Sequence, residues 1–252
     1  MVSCHDFKYA PLAEITLYGN KKIYCKKHDY ILFESTDLGA SWADGRPMSC
    51  TLPLPKTHIP GGWGKIYAMK AAMEKYPQSE WIFNIDADAM ITNMTIKIED
   101  IVGKVGADDP KIHIVVPGDI NGINCGVMIV RNSAIGKAFL DTVIAGMPLY
   151  RDCNMFENQL IQDLFCGTHL QLGGCPHQGG TFWHTVGKVA PQRVMNSYDY
   201  KNHPELKTRY SYNDVLNTDG QWQQGDFVVQ WPNMPLDLRI SEAVRFKDLC
   251  IM

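Results

Sequence analysis

The sequence predicts an α/β fold in which a mixed sheet is flanked by helices. The chain opens with a strand-helix-strand pattern that ends in the apolar run of residues 30–34, and such runs are typical of buried parallel strands. A second apolar run, Trp81–Ile85, leads directly into the polar sequence Asp86-Ala87-Asp88. Because open α/β sheets bind ligands at the carboxyl ends of their strands, we expect the chemistry of this chain at that position.

In the first half of the chain, the positions of proline and glycine predict where helices and strands begin and end. A short strand ends at Cys4, and the first helix is predicted to begin at Pro11, a residue favoured in the first helical turn, and to run toward His28. The density of Pro and Gly from Ser41 to Gly64 predicts a surface loop. A helix is predicted from Trp63 to Tyr76, where apolar residues recur at helical spacing before a proline.

The second half predicts further strands and helices in alternation. Short apolar runs predict strands at residues 112–116, 127–130 and 227–229, and residues 117–119 are predicted to form a turn. Helices are predicted from Ser133 to about Ala145 and from Met155 to Phe165. With 252 residues, the chain is expected to form a single domain.

Composition excludes several classes of protein. Hydrophobic residues make up 45% of the chain and charged residues 20%, which rules out disordered and fibrous chains. The net charge of −3 provides no basic field for a nucleic-acid partner. No apolar run is long enough to span a membrane and none resembles a signal peptide, so we expect a soluble or cytoplasmic protein, with a fragment of a Golgi-type protein left open. The eight cysteines form no Cys-x-x-Cys pair, which favours reduced thiols over a zinc ribbon.

The paired carboxylates of Asp86 and Asp88 are the strongest indication of chemistry. Two carboxylates one residue apart at a strand end repel each other unless a cation joins them. Hard divalent cations such as Mg²⁺ and Mn²⁺ prefer oxygen ligands. An Asp-x-Asp pair of this kind can therefore bind a cation that holds a diphosphate as the bond to a sugar breaks.

The amino-acid sequence around Asp86 and Asp88 resembles that of a known enzyme family. The matching blocks are Trp63-Gly-Lys65-Ile66, residues 76–94, residues 124–133, residues 189–198 and Gly225–Val229. Together they resemble the retaining GT-A glycosyltransferases that include fungal α-1,2-galactosyltransferases, fungal mannosyltransferase subunits and plant xyloglucan xylosyltransferases. The resemblance implies a GT-A-like, Rossmann-like fold, with a nucleotide-sugar-binding half at residues 1–120 and an acceptor-binding and catalytic half at residues 121–252.

The resemblance also implies roles for individual residues. The donor is expected to be a UDP-sugar, a hexose or a pentose, held with Mn²⁺ or Mg²⁺, and the acceptor a glycan hydroxyl. The implied metal ligands are Asp86 and Asp88, and the implied catalytic residues are Glu157 and Gln159. Other residues implied to bind the donor are Lys65, Ala87 and Asn124, although Lys65 on a helix could instead lie on a solvated face.

The last block departs from the family pattern. The family has a histidine metal ligand where this chain has Gln230. We expect Gln230 to serve as the third metal ligand, through an amide oxygen that is neutral and binds more weakly than imidazole. Arg239 could supply the positive charge that the family places nearby, but a surface salt bridge is the expected role. The departure keeps open an alternative, a non-catalytic sugar- or nucleotide-binding subunit. A nucleotidyltransferase is disfavoured, because no basic glycine-rich loop lies near the N-terminus.

Overall fold

The computed structural model describes residues 1–36, 61–150, 153, 155–166, 181–207 and 219–252. A mixed sheet forms its centre, and its strands lie in the order Phe33–Ser35 (β2), Val2–Cys4 (β1), Trp81–Ile85 (β3), Val127–Arg131 (β7), Ile114–Asp119 (β5) and Gly122–Ile123 (β6). A further strand, Gly187–Ala190 (β8), pairs with β5. The first three of these strands are parallel, whereas β7 is antiparallel to both β3 and β5. The fold class is therefore the predicted one, an α/β sheet of mixed direction.

Strands and helices are interspersed along the described chain. The strands are β1 (Val2–Cys4), β2 (Phe33–Ser35), β3 (Trp81–Ile85), β4 (Ala89–Ile91), β5 (Ile114–Asp119), β6 (Gly122–Ile123), β7 (Val127–Arg131), β8 (Gly187–Ala190) and β9 (Val228–Gln230). The helices are α1 (Ala10–Ala13), α2 (Lys22–His28), α3 (Gly61–Lys75), α4 (Ile98–Lys104), α5 (Ala134–Tyr150), α6 (Phe156–Cys166), α7 (Phe182–Thr185), α8 (Gln192–Met195) and α9 (Leu236–Lys247). A π-helical segment, Glu14–Lys21, joins α1 to α2.

Three sequence predictions are corrected by this structure. The strand expected at residues 30–34 begins only at Phe33, because the backbone N–H of Tyr30 donates to Cys25 and closes the preceding helix behind a left-handed Asp29. Residues 117–119 continue β5 instead of turning, since they pair with β6 and β8. Of the loop predicted at residues 41–64, residues 61–64 belong to α3, and the remainder lies outside the described residues.

The main sheet is buried on both faces by two apolar clusters. One contains α3, α5 and α6 side chains, such as Trp63, Phe139 and Phe165, and the other packs Tyr24 and Phe227 against Phe83. No helix of the described chain is long and apolar enough to cross a membrane. Among the cysteines in the described ranges, free thiols are found at Cys4, Cys25, Cys125, Cys153 and Cys250.

A second, two-stranded sheet fixes the geometry that matters most for function. Strand β4 follows the Asp-x-Asp sequence directly and pairs antiparallel with β9, in a register that sets Ala89 opposite Gln230. The last block of the sequence is thereby brought beside Asp86 and Asp88. The backbone N–H of Trp231 also donates to the carbonyl oxygen of Asp88 at 3.0 Å.

Candidate active site

A cleft of about 380 Å³ opens at the carboxyl end of β3. Asp86 and Asp88 lie on its floor and are partly buried, with 24% and 14% of their side chains exposed. The cleft also receives side chains from helices and loops that are distant in sequence, namely His5, Asp6, Tyr9, Lys65, Asn124, Phe156, Glu157, Asn158, Gln230, Asn233 and Arg239, together with Ala87. Seven of the eight residues that the sequence proposed for the site therefore line one cleft.

Lys65 joins two carboxylates on one side of this cleft. Its Nζ lies 2.5 Å from Oδ2 of Asp86 and 3.1 Å from Oε1 of Glu157, and the lysine is buried. Burial lowers the pKa of Lys65, but the two carboxylates outweigh this and raise the pKa well above its usual value. Lys65 is thus a buried cation of the site, and the alternative of a solvated helix face is wrong.

Asp88 is held from the opposite side. Gln230 donates from Nε2 to Oδ1 of Asp88 at 3.0 Å, while Nη2 of Arg239 lies 3.4 Å from Oδ2. The expected surface salt bridge of Arg239 is wrong, because the residue is only 7% exposed and lines the cleft. Arg239 lies near the start of α9, which begins at Leu236, a short loop beyond the end of β9 at Gln230.

Asn124 belongs to a buried polar network at the edge of the cleft. Its Nδ2 donates to Asp119 at 3.2 Å and to the hydroxyl of Tyr198 at 2.8 Å. Its Oδ1 accepts from the backbone N–H of Gly126 at 2.8 Å and from Asn196 at 3.2 Å. These bonds fix the orientation of the Asn124 amide, so that it presents a set polar surface to a ligand.

The two predicted catalytic residues have different surroundings. Glu157 is buried beside Lys65, and its Oε2 has no hydrogen-bond partner. Gln159 does not line the cleft, because it points along α6 and donates to Asp163 at 2.9 Å. The neighbouring Asn158 lines the cleft instead, with its Oδ1 accepting from the backbone N–H of Cys125 at 2.7 Å.

Sequence reasoning missed Asn158, although a signal was present. Glutamine and aspartate four residues apart on a helix commonly form a hydrogen bond, and Gln159 and Asp163 have this spacing. That pattern indicates that Gln159 is engaged within its own helix. Phe156, two residues before Asn158, has a left-handed backbone (φ 47°) and an exposed ring that lines the cleft. The sequence did not indicate this conformation.

The π-helical segment holds the Asp-x-Asp loop from below. Two of its side chains bond to that loop: Thr16 donates to the carbonyl of Ala87 at 2.7 Å and Lys21 to the carbonyl of Asp86 at 2.6 Å. A third, Asn20, exchanges two hydrogen bonds with the backbone of Ile91 in the adjoining strand β4. All three side chains are fully buried. A π-helix has a wider turn than an α-helix, and here it directs positions 16, 20 and 21 to that loop and to β4.

Charge on the cleft floor favours a cation. Burial raises the pKa of Asp86, and the neighbouring carboxylates of Asp88 and Glu157 add to the rise against the opposing effect of Lys65. The same surroundings act on Lys21, whose pKa burial lowers to about 7 although Asp86 and Asp88 oppose this. Crowding of carboxylates is thus only partly relieved by the lysines.

The donor set fits a divalent cation only in part. Asp86 and Asp88 supply carboxylate oxygens, as Mg²⁺ and Mn²⁺ require. Gln230 offers Asp88 its amide nitrogen, and its Oε1 already accepts from Asn196 at 2.8 Å. Within the described ranges, no three His, Cys, Asp and Glu side chains are grouped to hold a metal ion. The arrangement fits a cation bound by two carboxylates and completed by oxygens of a bound diphosphate.

The fold is that of GT-A glycosyltransferases. A glycosyltransferase involved in the glycosylation of the major capsid of PBCV-1 superposes with a TM-score of 0.58 and 15% identity, covering 97% of this chain and 98% of the other. The galactosyltransferase LgtC, solved with donor and acceptor sugar analogs, gives a TM-score of 0.53 and 14% identity, covering 99% and 95%. At these identities the likeness establishes the architecture alone.

Sequence comparison identifies the family. The model of the galactosyl transferase GMA12/MNN10 family matches residues 6–105 and 104–232, and the chain belongs to this family. The predicted family resemblance is therefore confirmed.

Two curated relatives, one from a fungus and one from a plant, show the extent of the similarity. An alpha-1,2-galactosyltransferase of Schizosaccharomyces pombe is 27% identical over 219 residues, which cover 75% of this chain and 52% of the relative. Galactomannan galactosyltransferase 1 of Cyamopsis tetragonoloba is 24% identical over 153 residues, covering 58% of this chain and 30% of the relative. The chain spans about half or less of the length of these relatives.

Proposed function

We propose that this protein transfers a sugar from a nucleotide-sugar to a hydroxyl of a glycan, with retention of anomeric configuration. The observation that carries the proposal is the convergence of Asp86, Asp88, Lys65 and Glu157 in one cleft at the carboxyl end of β3. The retaining outcome and a UDP-sugar donor rest on the family resemblance. Galactosyl transfer by the relatives makes a UDP-hexose the first donor to examine.

The strand-end carboxylates would hold the diphosphate side of the donor. A divalent cation bound by Asp86 and Asp88, when present, would supply positive charge to the leaving nucleoside diphosphate. Lys65 keeps the Asp86 carboxylate in place and carries its own charge at the same point of the cleft. Asn124, fixed by four hydrogen bonds, would contact the donor sugar at the edge.

The reacting carbon would lie near the first turn of α6. Glu157 presents a buried carboxylate whose Oε2 is free of hydrogen bonds, which suits a group that faces positive charge developing at the anomeric carbon. Asn158 lies beside it in the cleft, and its amide could bind an oxygen of the donor or the acceptor. In the transfer, the bond between the anomeric carbon and the phosphate oxygen breaks and the nucleoside diphosphate leaves with both electrons. The acceptor oxygen forms the new bond to that carbon, and its proton passes to the departing diphosphate or to solvent.

One observation favours a second candidate, a non-catalytic subunit that binds nucleotide or sugar. Gln230 replaces an imidazole ligand and presents an amide nitrogen to Asp88. A site with weaker cation binding could retain ligand recognition without turnover. The two candidates differ in whether bound nucleotide-sugar is consumed.

The test is the release of nucleotide from UDP- and GDP-sugars with glycan acceptors, measured with Mn²⁺ and with EDTA. We expect release of nucleotide with at least one donor. In Asp86→Asn and Asp88→Asn, the rate of release should fall about 100-fold or more, because each variant removes a carboxylate that would bind the cation of the diphosphate. Both variants should fold, with a melting temperature in EDTA equal to or above that of the wild type, since each removes one of several crowded carboxylates.

Each outcome separates the candidates. Binding of a nucleotide-sugar without its consumption would favour the non-catalytic subunit. Normal turnover by either Asp variant in the presence of Mn²⁺ would show that the strand-end pair has no part in the reaction.

A further inference from the structure

Arg239 is the cation of the cleft whose hydrogen-bonding capacity is least used. Its Nη1 donates to the hydroxyl of Tyr9 at 2.8 Å, and its guanidinium lies 5.5 Å from the centre of the Tyr9 ring. Its contact with Asp88 is a single approach at 3.4 Å. The Nε atom is buried and has no hydrogen-bond partner.

A buried and unsatisfied guanidinium nitrogen is unusual, because a charged donor that is left unpaired destabilises the folded protein. Lys65 is in a different state, since two carboxylates at 2.5 and 3.1 Å share its ammonium group. An anion that entered the cleft would therefore meet the guanidinium of Arg239 at Nη2, where the contact with Asp88 is long at 3.4 Å. Tyr9 holds the guanidinium from one side, so that the donor is in place before the anion arrives.

We propose that Arg239 binds the phosphate groups of a nucleoside diphosphate in this cleft. The inference rests on the proposed function, which supplies the identity of the anion. A guanidinium forms two parallel hydrogen bonds to phosphate, and its charge is independent of any bound cation. Nucleotide binding accordingly has a component that does not require Mn²⁺, and Arg239 carries it.

The test compares UDP, UMP and uridine as probes by calorimetry, in EDTA and in Mn²⁺. In Arg239→Met, we expect the affinity for UDP to fall about tenfold or more under both conditions, while the affinity for uridine stays unchanged. Arg239→Lys should recover part of the loss, because it restores the charge without the paired N–H donors. Lys247→Met is the matched control, since it removes one positive charge from an exposed position of the same helix.

The outcomes separate failure of this inference from failure of the proposed function. UDP affinity in Arg239→Met within twofold of the wild type overturns the role of Arg239. An equal loss for uridine also overturns it, since the residue would then support the fold of the cleft and not the phosphates. Absence of UDP and GDP binding by the wild-type protein in both conditions would instead contradict the proposed function, and the inference with it.

Discussion

Side chains in the cleft are arranged so that the two strand-end aspartates meet different cations. Asp86 shares Lys65 with Glu157, whereas Asp88 meets Arg239. This division predicts different consequences of losing each cation. Loss of Lys65 leaves the carboxylates of Asp86 and Glu157 without a cation, whereas loss of Arg239 leaves Asp88, which still accepts a hydrogen bond from Gln230.

At the residue scale, Glu157, Asn158 and Gln159 provide the sharpest contrast. We expect Glu157→Gln and Asn158→Ala to lower kcat by about tenfold or more with little change in nucleotide affinity, because both side chains line the cleft near the expected reacting carbon. Gln159→Ala should leave kcat within a few-fold and affect mainly stability, through loss of its bond to Asp163. Steady-state kinetics and thermal melts of the three variants check this.

A variant of Gln159 with a large and selective loss of kcat would contradict the geometry and restore the role that the sequence implied for it. The two strand-end aspartates were predictable from residue type and from their position after an apolar run, whereas Glu157 was indicated only by the family resemblance. The sequence did not distinguish Asn158 from Gln159, because adjacent residues on a helix point 100° apart and only tertiary packing sets which one faces the cleft.

At the scale of elements, the π-helical segment connects the N-terminal helix to the Asp-x-Asp loop. The sequence indicated one helix from Pro11 toward His28, and the structure has a helix over that range. The change of helical pitch was not predictable from apolar spacing. It accompanies buried bonds from Thr16, Asn20 and Lys21 to the Asp-x-Asp loop and β4, about seventy residues away in the sequence. We infer that this segment positions the carboxylates.

Lys21→Met tests the positioning role. Burial lowers the pKa of Lys21 to about 7, which means that a positive charge at this position does not stabilise the fold. Methionine has a similar length, so the melting temperature of Lys21→Met should stay within a few degrees of the wild type. Loss of the bond to the Asp86 carbonyl should nevertheless lower kcat/KM by about tenfold. Lys22→Met, at the adjacent exposed position, is the control and should change neither quantity.

The result that speaks against a positioning role is full activity of Lys21→Met at normal stability. A parallel loss of activity and melting temperature would also count against it, because the segment would then contribute only to folding.

At the scale of the whole molecule, the site is assembled from both halves of the chain. Strand β3 from the first half pairs along its full length with β7 from the second, and β4 pairs with β9 more than 130 residues later. The α/β class and most strands were predictable from apolar runs. The pairing of β4 with β9 was not, because strand partners depend on long-range packing and not on local sequence. That pairing is what brings Gln230 to Asp88.

A second cavity allows the position of the site to be tested directly. It has a volume of about 470 Å³, is larger than the cleft, and is lined by Tyr30, Trp81, Glu99 and Arg131. The guanidinium of Arg131 in this cavity is already engaged, since its Cζ lies 4.1 Å from the centre of the Trp81 ring and the group pairs with Glu80. We therefore expect nucleotide to bind in the smaller cleft.

The most direct measurement is backbone hydrogen exchange with and without UDP and Mn²⁺. The account predicts slower exchange at residues 86–91, at the start of α6 and at residues 228–233, with no change around the second cavity. Protection confined to residues 29–33 and 98–103, which border that cavity, would contradict the central claim that the nucleotide binds at the carboxyl end of β3.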